Sequence, residues 1–330
     1  MGMSANITES IVAATRSRMR VSCHARAALL AVVVSLWCAA PAAAQNYHFG
    51  MNTRVLTPLM ADKMVELGAG TVRLAFGWDV IEPNCKGCFN WTTTDAWRDE
   101  AKRTHRTIFA SLAYAPAWAN GGHEYWFPPL NYQDWYDFVF AVVSRYRDDI
   151  YIWGVWNEPN LDNYLHGSDV RVYQSLAINA RAAIRAANPD AVIVGPDVSW
   201  HGIANGWFAE AMAAVGDLFD IVSVHWYVDG PPLDYLMDKL VRPFSRGKPV
   251  WLAEVGKKPC ASFFGEGGQA LFYAQVLEAF QARRDWWTGV SFYDLWEDPT
   301  PPDCGSAITL TDWSNRPAFT VFQNFIRAHP

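Results

Sequence analysis

The chain has 330 residues with 27 basic and 33 acidic side chains, a net charge of −6, and 15% aromatics including 17 Trp. No basic stretch is interleaved with aromatics, which argues against a nucleic-acid partner, and this length suits one large domain or two ordinary ones. So many Trp exceed the usual needs of core packing, because a buried indole N–H requires a partner, and point to flat apolar platforms in a cleft.

Residues 1–44 read as an export signal. Arg16, Arg18, Arg20 and Arg26 precede the apolar run 27–40, and Ala42-Ala43-Ala44 before Gln45 forms a small-residue cleavage site. The run of about 14 residues is shorter than the ~20 that span a bilayer as a helix. Met19 is an alternative start, and the bulk of Trp37 argues against lipid attachment at Cys38. Cleavage after Ala44 removes four Arg and one Glu, leaving 23 basic against 32 acidic side chains, a net of −9. The expected mature protein is a secreted or periplasmic monomer over 45–330, with no membrane partner once the signal is removed. Its four Cys are expected to form disulfides, Cys85 with Cys88 in a tight loop and Cys260 with Cys304 as a long-range staple. The alternative, a four-Cys zinc site, lacks the second close pair such sites show.

From residue 47 onward, short apolar runs alternate with amphipathic stretches. Strands are expected at 47–52, 71–76, 107–112 and 151–156, with helices at 58–67, 94–103, 132–146 and 170–187. Gly68 stops the first helix, and Asn188-Pro189 marks the turn after the fourth. The rhythm resumes with strands at 191–194, 220–226, 249–254 and 289–295 and helices at 207–215, 233–240, 269–284 and 317–326. Eight strand–helix units without a linker predict an α/β fold, a single-domain (β/α)8 TIM barrel. Continuous apolar strands agree with a sheet buried on both faces. A doubly wound sheet is the alternative, but no Gly-rich phosphate loop follows the first strand.

In such a barrel the chemistry sits at the C-terminal ends of the strands. That rule selects Arg73, Asn157-Glu158, His225, Tyr227, Glu254 and Trp296. Glu158 and Glu254 then face one mouth from strands three apart, and paired carboxylates are what hydrolysis of a glycosidic bond requires. Strand ends poor in His argue against a metal-dependent hydrolase, and no metal or organic cofactor is expected.

The motifs around these residues resemble clan A glycoside hydrolases. Trp156-Asn157-Glu158-Pro159 is similar to the clan's strand-4 signature, the 250–256 run ending Glu254-Val255-Gly256 to its strand-7 motif, and His225-Trp226-Tyr227 to its His-x-Tyr. The stretch 76–83, then Phe89-Asn90-Trp91 and 114–118, resembles family 39 and its bacterial exopolysaccharide-hydrolase relatives. The likeness covers nearly the whole mature chain. It implies Glu158 as acid/base and Glu254 as nucleophile of a retaining double displacement on a β-linked glycan, with Arg73 and Tyr227 against Glu254. It further implies that Asn157 bonds the sugar 2-hydroxyl and His225 orients the acid/base or the sugar. Trp296 would floor the subsite, and Trp78, Trp118, Trp126 and Trp226 would be sugar platforms. Two departures are visible: Tyr114 and Trp118 occupy the post-strand-3 region where several families carry His, and Ala253 precedes the nucleophile. The substrate implied is an oligo- or polysaccharide, with endo action on an exopolysaccharide as the leading expectation. The alternatives are an exo-acting β-xylosidase-like enzyme, a cellulase- or mannanase-like one, and a non-catalytic carbohydrate-binding barrel.

Overall fold

The computed structural model describes residues 47–261, 264–297 and 305–330. Cys304 lies outside these, as does the stretch 1–44 read as an export signal. Eight parallel strands close into a barrel in sequence order: β1 (Phe49–Asn52), β2 (Thr71–Gly77), β3 (Thr107–Ala113), β4 (Ile152–Val155), β5 (Val192–Val198), β6 (Ile221–Tyr227), β7 (Val250–Gly256) and β8 (Trp287–Phe292). The helices between and after them are α1 (Pro58–Leu67), α2 (Thr92–Thr104), α3 (Tyr132–Arg145), α4 (Val170–Ala187), α5 (Trp207–Val215), α6 (Leu233–Tyr235), α7 (Gly265–Gln281) and α8 (Pro317–Ala328).

Local chemistry accounts for several boundaries. Thr57 caps α1 by accepting from the Met60 N–H, Pro58 opens the helix, and Gly68 closes it in the left-handed conformation. Asn131 and Asp169 cap α3 and α4 in the same way. The helix expected over 233–240 is instead the short α6 followed by a π-helical stretch, Leu236–Val241. The fifth strand runs to Val198 rather than stopping at Val194, because pairing with β6 continues past Pro196 through a register shift.

The main core lies between the barrel and its helices. A second, smaller cluster, Phe109, Ile152, Val194, Trp251 and Ala253, plugs the barrel interior. Its two large rings fit because Gly154 and Gly289 stand opposite them. A Cβ on Gly154 would sit 2.8 Å from the Phe109 ring, and one on Gly289 2.6 Å from the Trp251 indole. Toward the C-terminal mouth the lining of β2 and β3 shrinks to Ala75, Ser111 and Ala113, leaving a cavity of about 380 Å³. Among the described residues no helix is long and apolar enough to cross a membrane.

Candidate active site

The cavity opens at the strand C-termini, and Glu158 and Glu254 both line it. Glu158 follows β4 through a sharply bent segment in which Trp156 and Glu158 have φ of +68° and +43°. Such backbone costs about 1–3 kcal/mol per residue and persists only where neighbours fix it. Here Leu112 O accepts from the Trp156 N–H at 2.7 Å, Ser111 Oγ donates to Trp156 O at 3.1 Å, and Asp197 O accepts from the Glu158 N–H at 2.9 Å. The Trp156 indole is anchored on Tyr164 O at 2.8 Å. Glu254 reaches the mouth by a different device. Ala253 already faces the barrel interior, and register shifts on both sides of β7 let the next residue turn inward too.

Arg73 organises the floor. One terminal nitrogen donates to Asn52 Oδ1 at 3.1 Å and to Glu254 Oε2 at 3.2 Å. The other donates to Asn157 Oδ1 at 2.8 Å and Asp197 Oδ2 at 2.9 Å. Its guanidinium lies 5.5 Å over the Phe109 ring of the barrel plug. The Tyr227 hydroxyl donates to the other oxygen of Glu254. Burial, reinforced by the Glu254 charge, pushes that phenol well above its ordinary range and keeps it a donor.

Behind the pocket His225 Nδ1 lies 3.1 Å from Glu158 Oε1 and 3.7 Å from Glu254 Oε2, while Nε2 is 3.7 Å from Asp197 Oδ1. Burial alone would depress this imidazole, but Glu254, Asp197 and Glu158 outweigh it and raise its pKa to about 9. Burial likewise works against the Asp197 carboxylate. Arg73 beside it, with His225 and the Ser223 hydroxyl, holds it well below the usual range. Arg73 and His225 thus stand as two basic groups among the three carboxyl groups of Asp197, Glu158 and Glu254.

Arg73, Asn157, Glu158, His225, Tyr227 and Glu254 therefore meet in one cluster, as the strand-end rule selected them. Four proposed platforms do not. Trp78 is fully buried, stacked on Phe138 at 5.3 Å with its indole N–H on Glu82. Trp118 stands edge-on to Trp78 and donates to Glu82 O at 2.8 Å. Trp296 stacks on Trp313 at 5.4 Å, and the pocket wall beyond β8 is formed by Tyr293 instead. Trp226 is likewise covered, stacked on Phe272 at 5.5 Å. Sequence reasoning missed Asn52, Arg54, Asp197, Tyr164 and Tyr293. Of these, Asp197 had a usable signal, an acid beyond an apolar run, hidden by the Gly195-Pro196 pair before it.

Cys85 and Cys88 form the expected disulfide. Cys260 is also disulfide-bonded. Among the described residues one group has the spacing to hold a metal ion, with one donor atom each from Glu158, His225 and Glu254 within 4.8 Å of one another.

A model of the glycosyl hydrolase catalytic core family matches residues 87–304, about two thirds of the chain. The chain belongs to that family. The chain is 27% identical over 169 residues to a β-xylosidase of Geobacillus stearothermophilus, covering 46% of this chain and 33% of that protein. It thus spans about a third of that relative's length. Its barrel superposes on a family 39 β-xylosidase from Caulobacter crescentus with a TM-score of 0.68 at 20% identity, covering 84% of this chain and 71% of the other. It also superposes on an endo-β-1,4-glucanase from Xanthomonas axonopodis pv. citri with a TM-score of 0.65 at 15% identity, covering 85% and 98%. At these identities the two structures speak for the shared (β/α)8 barrel fold alone.

Proposed function

We propose that the hydrolase cleaves β-linked oligo- or polysaccharides by double displacement with net retention, with Glu254 as nucleophile and Glu158 as acid/base. One observation carries this reading: one carboxyl oxygen of Glu158 and one of Glu254 lie within 4.8 Å of each other. Retaining pairs sit roughly 5–5.5 Å apart, whereas inverting pairs need a wider gap for a water.

The surroundings support the division of labour. Glu254 accepts from Arg73 and from Tyr227, two donors that favour an ionised nucleophile. In the first step its carboxylate attacks the anomeric carbon while Glu158 gives its proton to the leaving oxygen, and the C–O bond breaks. In the second step Glu158 takes a proton from water, whose oxygen attacks the anomeric carbon and releases Glu254. Asn157, held through its carbonyl oxygen by Arg73, turns its amide nitrogen toward Tyr114 at 3.5 Å, where a sugar 2-hydroxyl would accept.

The substrate reading is endo action on an exopolysaccharide. The named β-xylosidase relatives favour a second reading, exo removal of single sugars. The export signal read in 1–44 supports a secreted or periplasmic location, and a β-xylosidase of this fold described as monomeric supports a monomer. Cell fractionation and light scattering check both points.

Azide rescue tests the roles. On a substrate with an activated leaving group, Glu158→Ala with azide should yield a glycosyl azide of retained configuration. Glu254→Ala should yield none of that product. The reverse pattern would exchange the two assignments.

A further inference from the structure

An aromatic strip leads out of the pocket on the side of Glu158. Tyr114 lines the pocket, and the Tyr125 ring stands edge-on to it with centroids 5.0 Å apart. Trp126 stands edge-on to Tyr125 at 5.0 Å. Beyond it the Phe127 ring is sandwiched between His123 at 4.5 Å and His166 at 3.9 Å. Tyr125 is 44% exposed, and both His are exposed. Two loops are joined by backbone hydrogen bonds: Ala115 N–H donates to Tyr125 O, and His166 N–H to Trp126 O, each at 2.9 Å.

The Tyr125 and Trp126 rings differ from Trp78, whose faces are spent on the core. They hold fixed angles at the surface, so little ordering cost attends binding to them. Their chemistry also limits what they take. The segments 121–130 and 160–168 contain no Lys or Arg, and their charged residues are Glu124 and Asp162. Such a surface suits a neutral sugar ring and repels a uronate.

We propose that this strip is a binding shelf for neutral β-linked sugar units on the leaving-group side of the scissile bond. The inference rests on Glu158 being the acid, because a proton donor must lie beside the leaving oxygen. Glu158 and His166 belong to the same β4–α4 loop, so the shelf adjoins the acid. A glycan held by Glu158 and Glu254 then continues over Tyr125 and Trp126, with the Phe127 ring, stacked between His123 and His166, bracing the loop beneath.

The test compares kcat/KM on aryl β-glycosides of single sugars with that on β-1,4-linked xylo- and cello-oligosaccharides of increasing length. For wild type the ratio of long to short substrate should rise as units are added on the reducing side. In Tyr125→Ala and Trp126→Ala that ratio should fall about ten-fold, the loss of one ring contact. Tyr125→Phe keeps the ring and should keep the ratio, and thermal unfolding shows whether each variant is folded. If wild type splits aryl glycosides but its ratio is flat or unchanged by the Ala variants, the shelf is wrong and the hydrolase reading stands. Dependence on non-reducing-end extension alone, or preference for a uronate-containing glycan, would also overturn the shelf as assigned. If no β-glycoside is split, the hydrolase reading itself fails.

Discussion

Replacing Arg73 by Met keeps much of its bulk and removes its charge. The side chain is 8% exposed and serves four acceptors, of which Asp197 is fully buried. Without it Asp197 keeps only His225 at 3.7 Å as a cationic neighbour among the described residues. Breaking a buried pair from one side costs about 3–5 kcal/mol, which in a barrel of this size is a fall in Tm on the order of 10 °C. The loss should shrink at acid pH. In wild type Asp197 is held low, so its stabilising contribution is present above the unfolded value and is lost as pH falls. In the variant burial raises the same carboxyl, so stability falls as pH rises, and the two curves converge toward pH 4. Thermal unfolding across pH, in a double-mutant cycle with Asp197→Asn, measures this. A coupling above about 1.5 kcal/mol is expected. A single-variant loss below about 1 kcal/mol, or additivity within about 0.5 kcal/mol, would refute the buried-pair argument. Arg73→Lys should fall between, because one point charge cannot reproduce the planar fork.

Three further outcomes follow from the same geometry. His225 is raised from 6.5 to about 9, so it contributes roughly 3 kcal/mol in full below the unfolded value, lost as pH rises through about 9. Wild-type Tm should decline over that window and His225→Gln should lack the decline, as calorimetry from pH 6 to 10 would show. Tyr227→Phe removes a hydrogen bond to Glu254, and kcat should drop about 10- to 100-fold while Tm moves by less than about 3 °C. Cys85→Ser opens a short loop between β2 and α2, so unfolding in denaturant should show a loss of no more than about 2 kcal/mol, with turnover at 25 °C unchanged.

The barrel was legible because its evidence is periodic: eight apolar runs separated by amphipathic ones leave few alternatives. The carboxylate pair was legible for a related reason, since Glu158 and Glu254 each end such a run. Asp197 was not, because Gly195-Pro196 carries the local signature of a turn, and only pairing with β6 keeps the strand going past it. Trp78, Trp118 and Trp296 show the opposite failure. An aromatic side chain beyond a strand looks the same in sequence whether its face meets sugar or Phe138. The shelf of Tyr125 and Trp126 was hidden likewise, since it depends on two loops 40 residues apart meeting through His166 and Trp126.

The central claim is retention through Glu254, and the anomer released first tests it most directly. Proton NMR during the opening minutes of hydrolysis of a β-glycoside, before mutarotation, should show the β-anomer appearing ahead of the α. Initial accumulation of the α-anomer would mean single displacement by water, and Glu254 would then be a base rather than a nucleophile.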